Sequence, residues 1–275
     1  MRRRKLVLIS SAGPLLLFLF WLGFSLTVQA SMPYDGLVVA HRGASGDAPE
    51  NTMAAFDLAV SLGSDFIEID VRMSKDGQLV VIHDETLDRT TNGQGLVNDY
   101  TLEELKALDA GSYFDPAKTQ ESIPTLEEVL ERYTGQTGIL IELKDPPLYP
   151  DMEQKTAGIV TRYMENGNIV IQSFHHESMR TMHALLPEIP IGVLISEQHQ
   201  PMTVERITEL SSYATYFNYN FELLDERMVK AIHALNRKVM SWTIRENEQL
   251  EQTLKLGVDG IITDYPGWFD KANKR

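Results

Sequence analysis

Residues 37–265 repeat one pattern, in which a short apolar, β-branched run is followed by an amphipathic stretch. The apolar runs lie at eight places, namely residues 37–41, 66–71, 138–144, 168–174, 191–195, 213–220, 238–244 and 260–265. Helical periodicity lies between most of them, most clearly at residues 52–62, 125–133, 225–235 and 247–256. Eight strands with intervening helices predict an α/β fold, a (β/α)8 TIM barrel. No G-x-G-x-x-G follows the first run, which disfavours a dinucleotide-binding fold.

A further apolar run, at residues 79–84, interrupts this alternation. It follows the second strand after only six residues, too few for a parallel crossover. Asp76-Gly77 between two alternating runs is typical of a two-residue hairpin turn. The second strand is therefore predicted to pass the barrel rim and fold back, which sets Asp70 opposite His83. A three-residue loop would shift that pairing by one residue.

The residues from 85 to about 124 contain no apolar run of barrel-strand type. We interpret them as a small insertion over the mouth of the barrel, with one helix at residues 101–108. The predicted catalytic domain, residues 31–275, includes this insertion.

The first thirty residues differ in character from the rest. Four cations, at positions 2–5, precede a stretch without charge that reaches residue 34, and Val28-Gln29-Ala30 is typical of a signal peptidase site. We interpret residues 1–30 as a signal peptide. The alternative is an uncleaved anchor, because residues 6–28 approach the ~20 needed to span a bilayer. Either way the domain is expected to be exported, secreted or tethered to the outer face of the cytoplasmic membrane, since the positive end stays inside.

Composition excludes several classes of function. The chain has no cysteine, which rules out disulfides, thiolate zinc sites and a cysteine nucleophile. The formal charge is −14, and it becomes −18 without the four cations of the leader, so nucleic acid is not expected as a partner. A protein this acidic binds a phosphate ester only through a local cluster of cations or a metal. The sequence leaves the oligomeric state open.

Charged residues and imidazoles gather where the predicted strands end. Strand residues two apart share a face, so Glu68 and Asp70 point the same way, as do Glu142 and Lys144. Active sites of TIM barrels lie at the C-terminal ends of the strands. These residues are therefore expected to meet at one mouth.

That set has a chemical logic. Three carboxylates are hard oxygen ligands for Ca²⁺ or Mg²⁺, two cations neutralise a phosphodiester, and two imidazoles suit proton transfer near neutral pH. The residues, in that order, are Glu68, Asp70 and Glu142; Arg42 and Lys144; His41 and His83. On the residues alone, this predicts a metal-dependent hydrolase.

Each of these features also has an ordinary structural explanation. An E-x-D pair is often a solvated strand end, and Glu142 with Lys144 can be a surface ion pair. Asn51 is a reasonable N-cap for the helix at residues 52–62. What favours a site is the convergence of all these residues on the strand ends of one barrel.

The motifs resemble the glycerophosphodiester phosphodiesterase family. The resemblance runs from about residue 38 to the end, through His41-Arg42-Gly43, Pro49-Glu50-Asn51-Thr52, Glu68-Ile69-Asp70-Val71, Val81-Ile82-His83-Asp84, Asp88-Arg89-Thr90-Thr91-Asn92-Gly93, Leu108-Asp109-Ala110-Gly111, Ile123-Pro124-Thr125-Leu126-Glu127-Glu128, Glu142-Leu143-Lys144, Gln172-Ser173-Phe174, Ser241-Trp242-Thr243 and Asp259-Gly260-Ile261-Ile262-Thr263-Asp264-Tyr265-Pro266.

The resemblance implies an enzyme that cleaves glycerophosphodiesters with water, giving sn-glycerol 3-phosphate and an alcohol, and that uses a divalent cation. It implies the acid–base, metal and phosphate roles given above for the same seven residues. It adds an apolar wall of Phe174 and Trp242 beside the glycerol, and Glu50 as a support for His41. For Asp264 two interpretations stay open, a role in the site and a structural role at the last strand.

Several alternatives stay open at this stage. The nucleophile is either the neighbouring glycerol hydroxyl, through a cyclic phosphate, or water, and the order of action of the two histidines is not fixed. A deacylated phospholipid headgroup is the default substrate. A lysophospholipid or sphingolipid, cleaved in the manner of a phospholipase D, and a polyglycerol-phosphate cell-wall polymer are the alternatives. A catalytically inactive binding module is the non-enzyme alternative.

Overall fold

A computed structural model describes residues 34–115 and 120–269. The predicted leader at residues 1–30 lies outside the described residues. Eight parallel strands, each within three residues of a predicted run, form the sheet: β1 (Leu37–Ala40), β2 (Phe66–Met73), β4 (Gly138–Leu143), β5 (Ile169–Ser173), β6 (Ile191–Ile195), β7 (Tyr216–Asn220), β8 (Lys238–Ile244) and β9 (Gly260–Thr263). A short ninth strand, β3 (Leu79–Val81), is antiparallel.

The parallel strands close on themselves. β1 pairs with β2 through Val39 and Phe66, and with β9 through Leu37 and Gly260. The remaining strands follow in chain order between these two, which completes the predicted (β/α)8 barrel.

Helices connect successive strands on the outside: α1 (Met53–Ser61), α3 (Leu126–Tyr133), α4 (Met152–Val160), α5 (His176–Leu185), α6 (Val204–Leu210), α7 (Glu226–His233) and α8 (Asn247–Lys255), with α2 (Leu102–Lys106) in the insertion. Side-chain capping fixes several helix starts; Thr125 and Glu128 form a reciprocal capping box at α3. No helix within residues 34–115 and 120–269 has the length and apolar character needed to cross a membrane.

The hairpin forms as predicted, but its register differs by one residue. The backbone N–H of Ile82 donates to the carbonyl of Asp70 at 2.9 Å, so Ile82, and not His83, lies opposite Asp70. The loop holds three residues and ends on Gly77, whose φ of +76° is readily adopted only by glycine. The predicted pairing of Asp70 with His83 is therefore wrong. His83 still reaches the mouth because β3 ends at Val81 and the chain bends there.

The interior of the barrel is layered. Its lower layer is apolar and consists of Val39, Phe66, Leu140, Val170, Tyr216, Met240 and Ile262. Two residues further along five of these strands, the same inward face carries Glu68, Glu142, Gln172, Asn218 and Trp242. The site therefore stands on an apolar floor, and a separate, larger core packs the helices against the outside of the barrel.

The insertion has a small core of its own. Val80 and Ile82 from the hairpin pack with Leu87, Leu105 and Ile123 from the segment that follows. The predicted helix is present as α2, shorter than expected, with Thr101 as its N-cap. This cluster is separate from the barrel core. The insertion is therefore stabilised mainly by packing against the hairpin and by polar contacts at the rim.

Candidate active site

The predicted site residues meet at the C-terminal mouth of the barrel. A cavity of about 180 Å³, here called the inner cavity, is lined by His41, Arg42, Glu68, His83, Glu142, Lys144, Phe174 and Trp242, together with Gln172, Leu194 and Arg245. Asp70 lies fully buried beside it. Each strand carries its residue to the mouth because the side chain faces inward near the C-terminal rim of the barrel or directly follows the strand; β2 continues past Glu68 and Asp70 into the hairpin.

Three buried carboxylates lie together at one side of the inner cavity, above its apolar floor. Glu68, Asp70 and Glu142 each offer an oxygen within 4.8 Å of the others, from adjacent positions on β2 and β4. One oxygen of Asp70, Oδ1, is buried and accepts no hydrogen bond. The other, Oδ2, accepts one from the side-chain amide of Asn51 at 2.9 Å.

The electrostatics of this cluster suit a cation. Burial raises the pKa of Glu68 well above its ordinary value, and the charges of Asp70 and Glu142 raise it further. Burial also raises the pKa of Glu142, although the ammonium of Lys144 opposes this. A buried carboxylate oxygen that accepts no hydrogen bond, within a set of repelling carboxylates, fits a hard divalent ion, so these three residues could hold a metal.

Arg42 and Lys144 border the carboxylates. The guanidinium of Arg42 lies 3.2 Å from the carboxylate of Asp70, and the backbone N–H of Arg42 donates to the carboxylate of Glu68 at 2.8 Å. The Lys144 ammonium donates to Glu142 at 2.6 Å and lies 3.5 Å from Asp70. Burial alone would raise the pKa of Asp70, but Lys144 and Arg42 outweigh it and hold that pKa far below its usual range.

His41 is fixed by the last strand of the barrel. Its Nδ1 lies 2.6 Å from a carboxylate oxygen of Asp264, and the other oxygen of Asp264 accepts from Arg245 at 2.5 Å. A carboxylate only accepts, so Nδ1 carries the proton and Nε2 of the neutral ring is left as an acceptor. Asp264 thus belongs to the site.

His83 is held in the same way from the insertion. Its Nδ1 lies 2.6 Å from Asp84, whose two oxygens accept from Arg89 at 2.6 and 3.0 Å. The backbone carbonyl of His83 accepts from the buried Arg72 guanidinium at 2.8 Å.

Both imidazoles are neutral near pH 7 in the free protein. Burial lowers the pKa of His41, and the charge of Arg42 lowers it further against the opposing effect of Asp264. Burial likewise lowers the pKa of His83 to about 4, with Lys144 and Arg42 acting in the same direction while Asp70 opposes them. Each ring therefore presents an unprotonated Nε2.

Two sequence-based interpretations change. Glu50 does not support His41; its carboxylate binds Arg42 at 2.9 Å and Arg89 at 2.7 and 2.8 Å. Asn51 is not the N-cap of α1, because Thr52 is. With a φ of +56°, Asn51 instead turns its amide onto Asp70.

Phe174 and Trp242 stand together in the wall of the inner cavity. Their rings meet edge to face with centroids 5.5 Å apart, and the Phe174 ring stacks on the His199 ring with centroids 6.2 Å apart. The indole N–H of Trp242 donates to the carbonyl of Asn218 at 2.7 Å, which fixes the ring. The two rings thus form an aromatic part of a mouth whose other side chains are mostly charged or polar.

The sequence reasoning missed Asp84, Arg89 and Arg245, and left Asp264 undecided. A usable signal existed for both aspartates. Asp84 directly follows a candidate histidine, and Asp264 directly follows the strand that must lie beside β1 once the barrel closes. The arginines carried no comparable signal, since they come from loops.

Comparison with known proteins agrees with this geometry. Residues 41–268 match the Glycerophosphoryl diester phosphodiesterase family. The chain is 43% identical over 237 residues to a glycerophosphodiester phosphodiesterase of Caldanaerobacter subterraneus subsp. tengcongensis, covering 84% of this chain and 94% of that protein. It is 38% identical over 253 residues to one of Bacillus subtilis, covering 86% of each.

Solved structures give the same result. A phosphodiesterase of Oleispira antarctica, determined in complex with its product sn-glycerol-3-phosphate, superposes with a TM-score of 0.79 at 33% identity, over 87% of this chain and 97% of that one. A glycerophosphodiester phosphodiesterase of Agrobacterium tumefaciens superposes with a TM-score of 0.73 at 32% identity, over 86% of this chain and 99% of that one.

Proposed function

Because this chain belongs to the glycerophosphodiester phosphodiesterase family, and is an enzyme of that class, we propose that it hydrolyses glycerophosphodiesters to sn-glycerol 3-phosphate and an alcohol by metal-assisted acid–base catalysis. One observation carries the proposal: two aspartate-held histidines and three clustered carboxylates border one cavity. The sn-glycerol-3-phosphate bound in the Oleispira antarctica phosphodiesterase supports the product.

Glu68, Asp70 and Glu142 would hold the cation, Ca²⁺ or Mg²⁺. When bound, such an ion supplies charge neutralisation of the phosphoryl group and of the negative charge that grows on it during displacement. Asn51 orients the Asp70 carboxylate from the side.

Arg42 and Lys144 would bind the phosphoryl oxygens. Both are partly buried cations that lie beside carboxylates, so they keep their charge and their position without substrate. Preorganised donors of this kind cost little reorganisation when charge develops in the transition state.

His41 would accept the proton of the nucleophile, through the Nε2 that Asp264 leaves free. His83 would give a proton to the leaving alcohol, held by Asp84. The anionic phosphoryl group, once bound, favours the protonated form of His83 that this step needs. Attack by the glycerol hydroxyl and attack by water both fit these roles.

The size of the inner cavity favours a deacylated substrate. At about 180 Å³ it accommodates a glycerol against the wall of Phe174 and Trp242, but an acyl chain would have to leave it. This supports a glycerophosphodiester over a lysophospholipid.

The test is release of glycerol 3-phosphate from glycerophosphocholine by the purified protein, after chelation and again with Ca²⁺ or Mg²⁺ restored. We expect activity only with the ion, and its loss in Glu68→Ala. Glu127→Ala, which removes an exposed carboxylate on α3, is the matched control and should keep wild-type activity. Undiminished activity after complete chelation would contradict the metal proposal, and no turnover of any glycerophosphodiester would contradict the function.

The protein is also proposed to act outside the cytoplasm, on the basis of residues 1–30 of the sequence. Fractionation of cells that produce the full chain, with the N-terminal residue of the mature protein determined, would test this. Recovery of the intact chain in the cytosol would contradict it, whereas membrane-bound intact protein would favour the tether over the cleaved signal.

A further inference from the structure

A second depression adjoins the inner cavity. It has a volume of about 560 Å³, is here called the outer groove, and extends over the segments that follow β4 and β5. His83, Glu142, Lys144 and Phe174 line both spaces, so the two meet at the proposed phosphoryl-binding cluster.

This arrangement matches the shape of a diester. A phosphodiester has one phosphoryl group and two substituents that point away from it. With the phosphoryl group at the shared wall, one substituent lies in the inner cavity and the other in the outer groove. His83, the proposed donor to the leaving alcohol, stands on the shared wall, while His41 lines only the inner cavity.

The charges on the wall of the outer groove are paired among themselves. The Asp145 carboxylate lies 3.2 Å from the buried Arg72 guanidinium, and Glu142 lies 2.6 Å from Lys144. Among the described residues that line the groove, neither carboxylate is left without a cation. A cationic alcohol such as choline would therefore find no unpaired anion there.

Apart from Asp145, which is paired with Arg72, the exposed residues of the groove are short apolar or hydrogen-bonding side chains. Pro147 and Leu148 are exposed on one side, and His175 and Gln198 on the other. The face of the Phe174 ring, which could otherwise attract a quaternary ammonium, lies 5.8 Å from the Lys144 ammonium. Hydrogen-bonding side chains beside small apolar surfaces suit a neutral, hydroxyl-bearing alcohol.

We propose that the outer groove holds the leaving-alcohol arm of the diester and selects neutral polyols, such as glycerol or inositol, over cationic alcohols. The inference rests on the proposed function, since it assigns the second arm of the same substrate.

The experiment compares kcat/KM of the full chain for glycerophosphoglycerol and glycerophosphocholine. We expect the neutral substrate to be preferred. Gln198→Glu adds one anion to the rim and should move the ratio about two- to fivefold towards glycerophosphocholine, the size typical of an exposed charge pair. Gln252→Glu, which makes the same change on the exposed surface of α8, should leave the ratio unchanged.

A second pair of variants tests the place of the arm. Leu148→Trp narrows the groove and should lower kcat/KM at least about fivefold for glycerophosphoinositol, with a smaller loss for the methyl ester of glycerol phosphate. Inhibition by sn-glycerol 3-phosphate, which needs only the inner cavity, should keep its wild-type constant. Leu185→Trp, at an exposed leucine that ends α5, should change neither.

The outcomes separate the two proposals. Turnover with no dependence on Gln198→Glu or Leu148→Trp would overturn the subsite and leave the proposed function standing. A wild-type preference for glycerophosphocholine would overturn the selection of neutral alcohols. Absence of turnover on every diester would overturn both.

Discussion

The two sides of the mouth contain the same chemical unit built in different ways. On the barrel side, His41 binds Asp264, which binds Arg245. On the insertion side, His83 binds Asp84, which binds Arg89. The first unit joins residues 223 positions apart across the seam of the barrel, whereas the second joins neighbours in the chain.

The difference lies in what holds each unit. His41 is 12% exposed and its aspartate 16%, because the first and last strands bury them. His83 and Asp84 are 29% and 26% exposed and depend on Arg72, Arg89 and the small core of the insertion. The His41–Asp264 pair is therefore as stable as the barrel itself. A local change in the insertion, by contrast, can displace the His83–Asp84 pair while the barrel stays folded. Under the proposed function, proton transfer from His83 to the leaving group is thus the step most open to adjustment by local substitution.

The largest expected effect comes from removing either imidazole. His41→Ala and His83→Ala should each lower kcat on glycerophosphocholine about 10²- to 10⁴-fold, the usual worth of a general acid or base. Metal binding should persist in both, measured by calorimetry. The control is His233→Ala, which removes the histidine of a third His–Asp pair, with Asp259, at the opposite end of the barrel. Full activity in either active-site variant would defeat the assignment.

Changing the aspartates should separate the two sides. Asp264→Asn and Asp84→Asn replace an acceptor by an amide that can donate to Nδ1, which favours the wrong tautomer. We expect a loss of kcat of about 10- to 100-fold, greater for the more buried Asp264. Asp259→Asn is the matched control. Steady-state kinetics measures the loss of kcat in each variant. Equal losses at both positions would contradict the expectation that the more buried aspartate has the larger effect.

The arginines should show the reverse order. Arg89 makes four hydrogen bonds, two to Glu50 and two to Asp84, while Arg245 makes one to Asp264. Arg89→Gln should therefore lower kcat a few-fold more than Arg245→Gln does. Both are half exposed, so the free energy of unfolding should change by less than about 1 kcal/mol. A larger effect from Arg245→Gln on kcat would contradict the insertion-side network.

The smallest expected effect is on acid stability. The folded pKa of His83 is about 4, below its ordinary value of 6.5, so the unfolded chain binds a proton in that interval that the folded chain does not. The stabilisation is complete above about pH 6.5 and is lost as the pH falls towards 4. His83→Gln should therefore flatten the fall of Tm with pH. His176, whose pKa burial also lowers to about 4, keeps part of the slope. An unchanged slope would show that His83 titrates normally.

The sequence predicted the barrel, the hairpin and the convergence of seven residues at one mouth because each depends on local periodicity or on which end of a strand a residue occupies. It did not predict the register of the hairpin, since Asp76-Gly77 is compatible with two loop lengths and the packing of Ile82 under the insertion decides between them. Nor did it predict the partner of Glu50, because Arg89 reaches it from a loop whose path depends on tertiary packing. The residue type and position of Asn51 suggest an N-cap, whereas its left-handed backbone turns its side chain onto Asp70.

The most direct test of the separate roles of the two histidines is how the activity of each variant depends on the leaving group. The rate of wild type, His41→Ala and His83→Ala is compared on glycerophosphocholine and on glycerol p-nitrophenyl phosphate, whose leaving group departs without a proton. We expect His83→Ala to recover most of its activity on the p-nitrophenyl ester while His41→Ala stays inactive. Equal impairment of both variants on both substrates, or recovery of His41→Ala alone, would contradict this expectation.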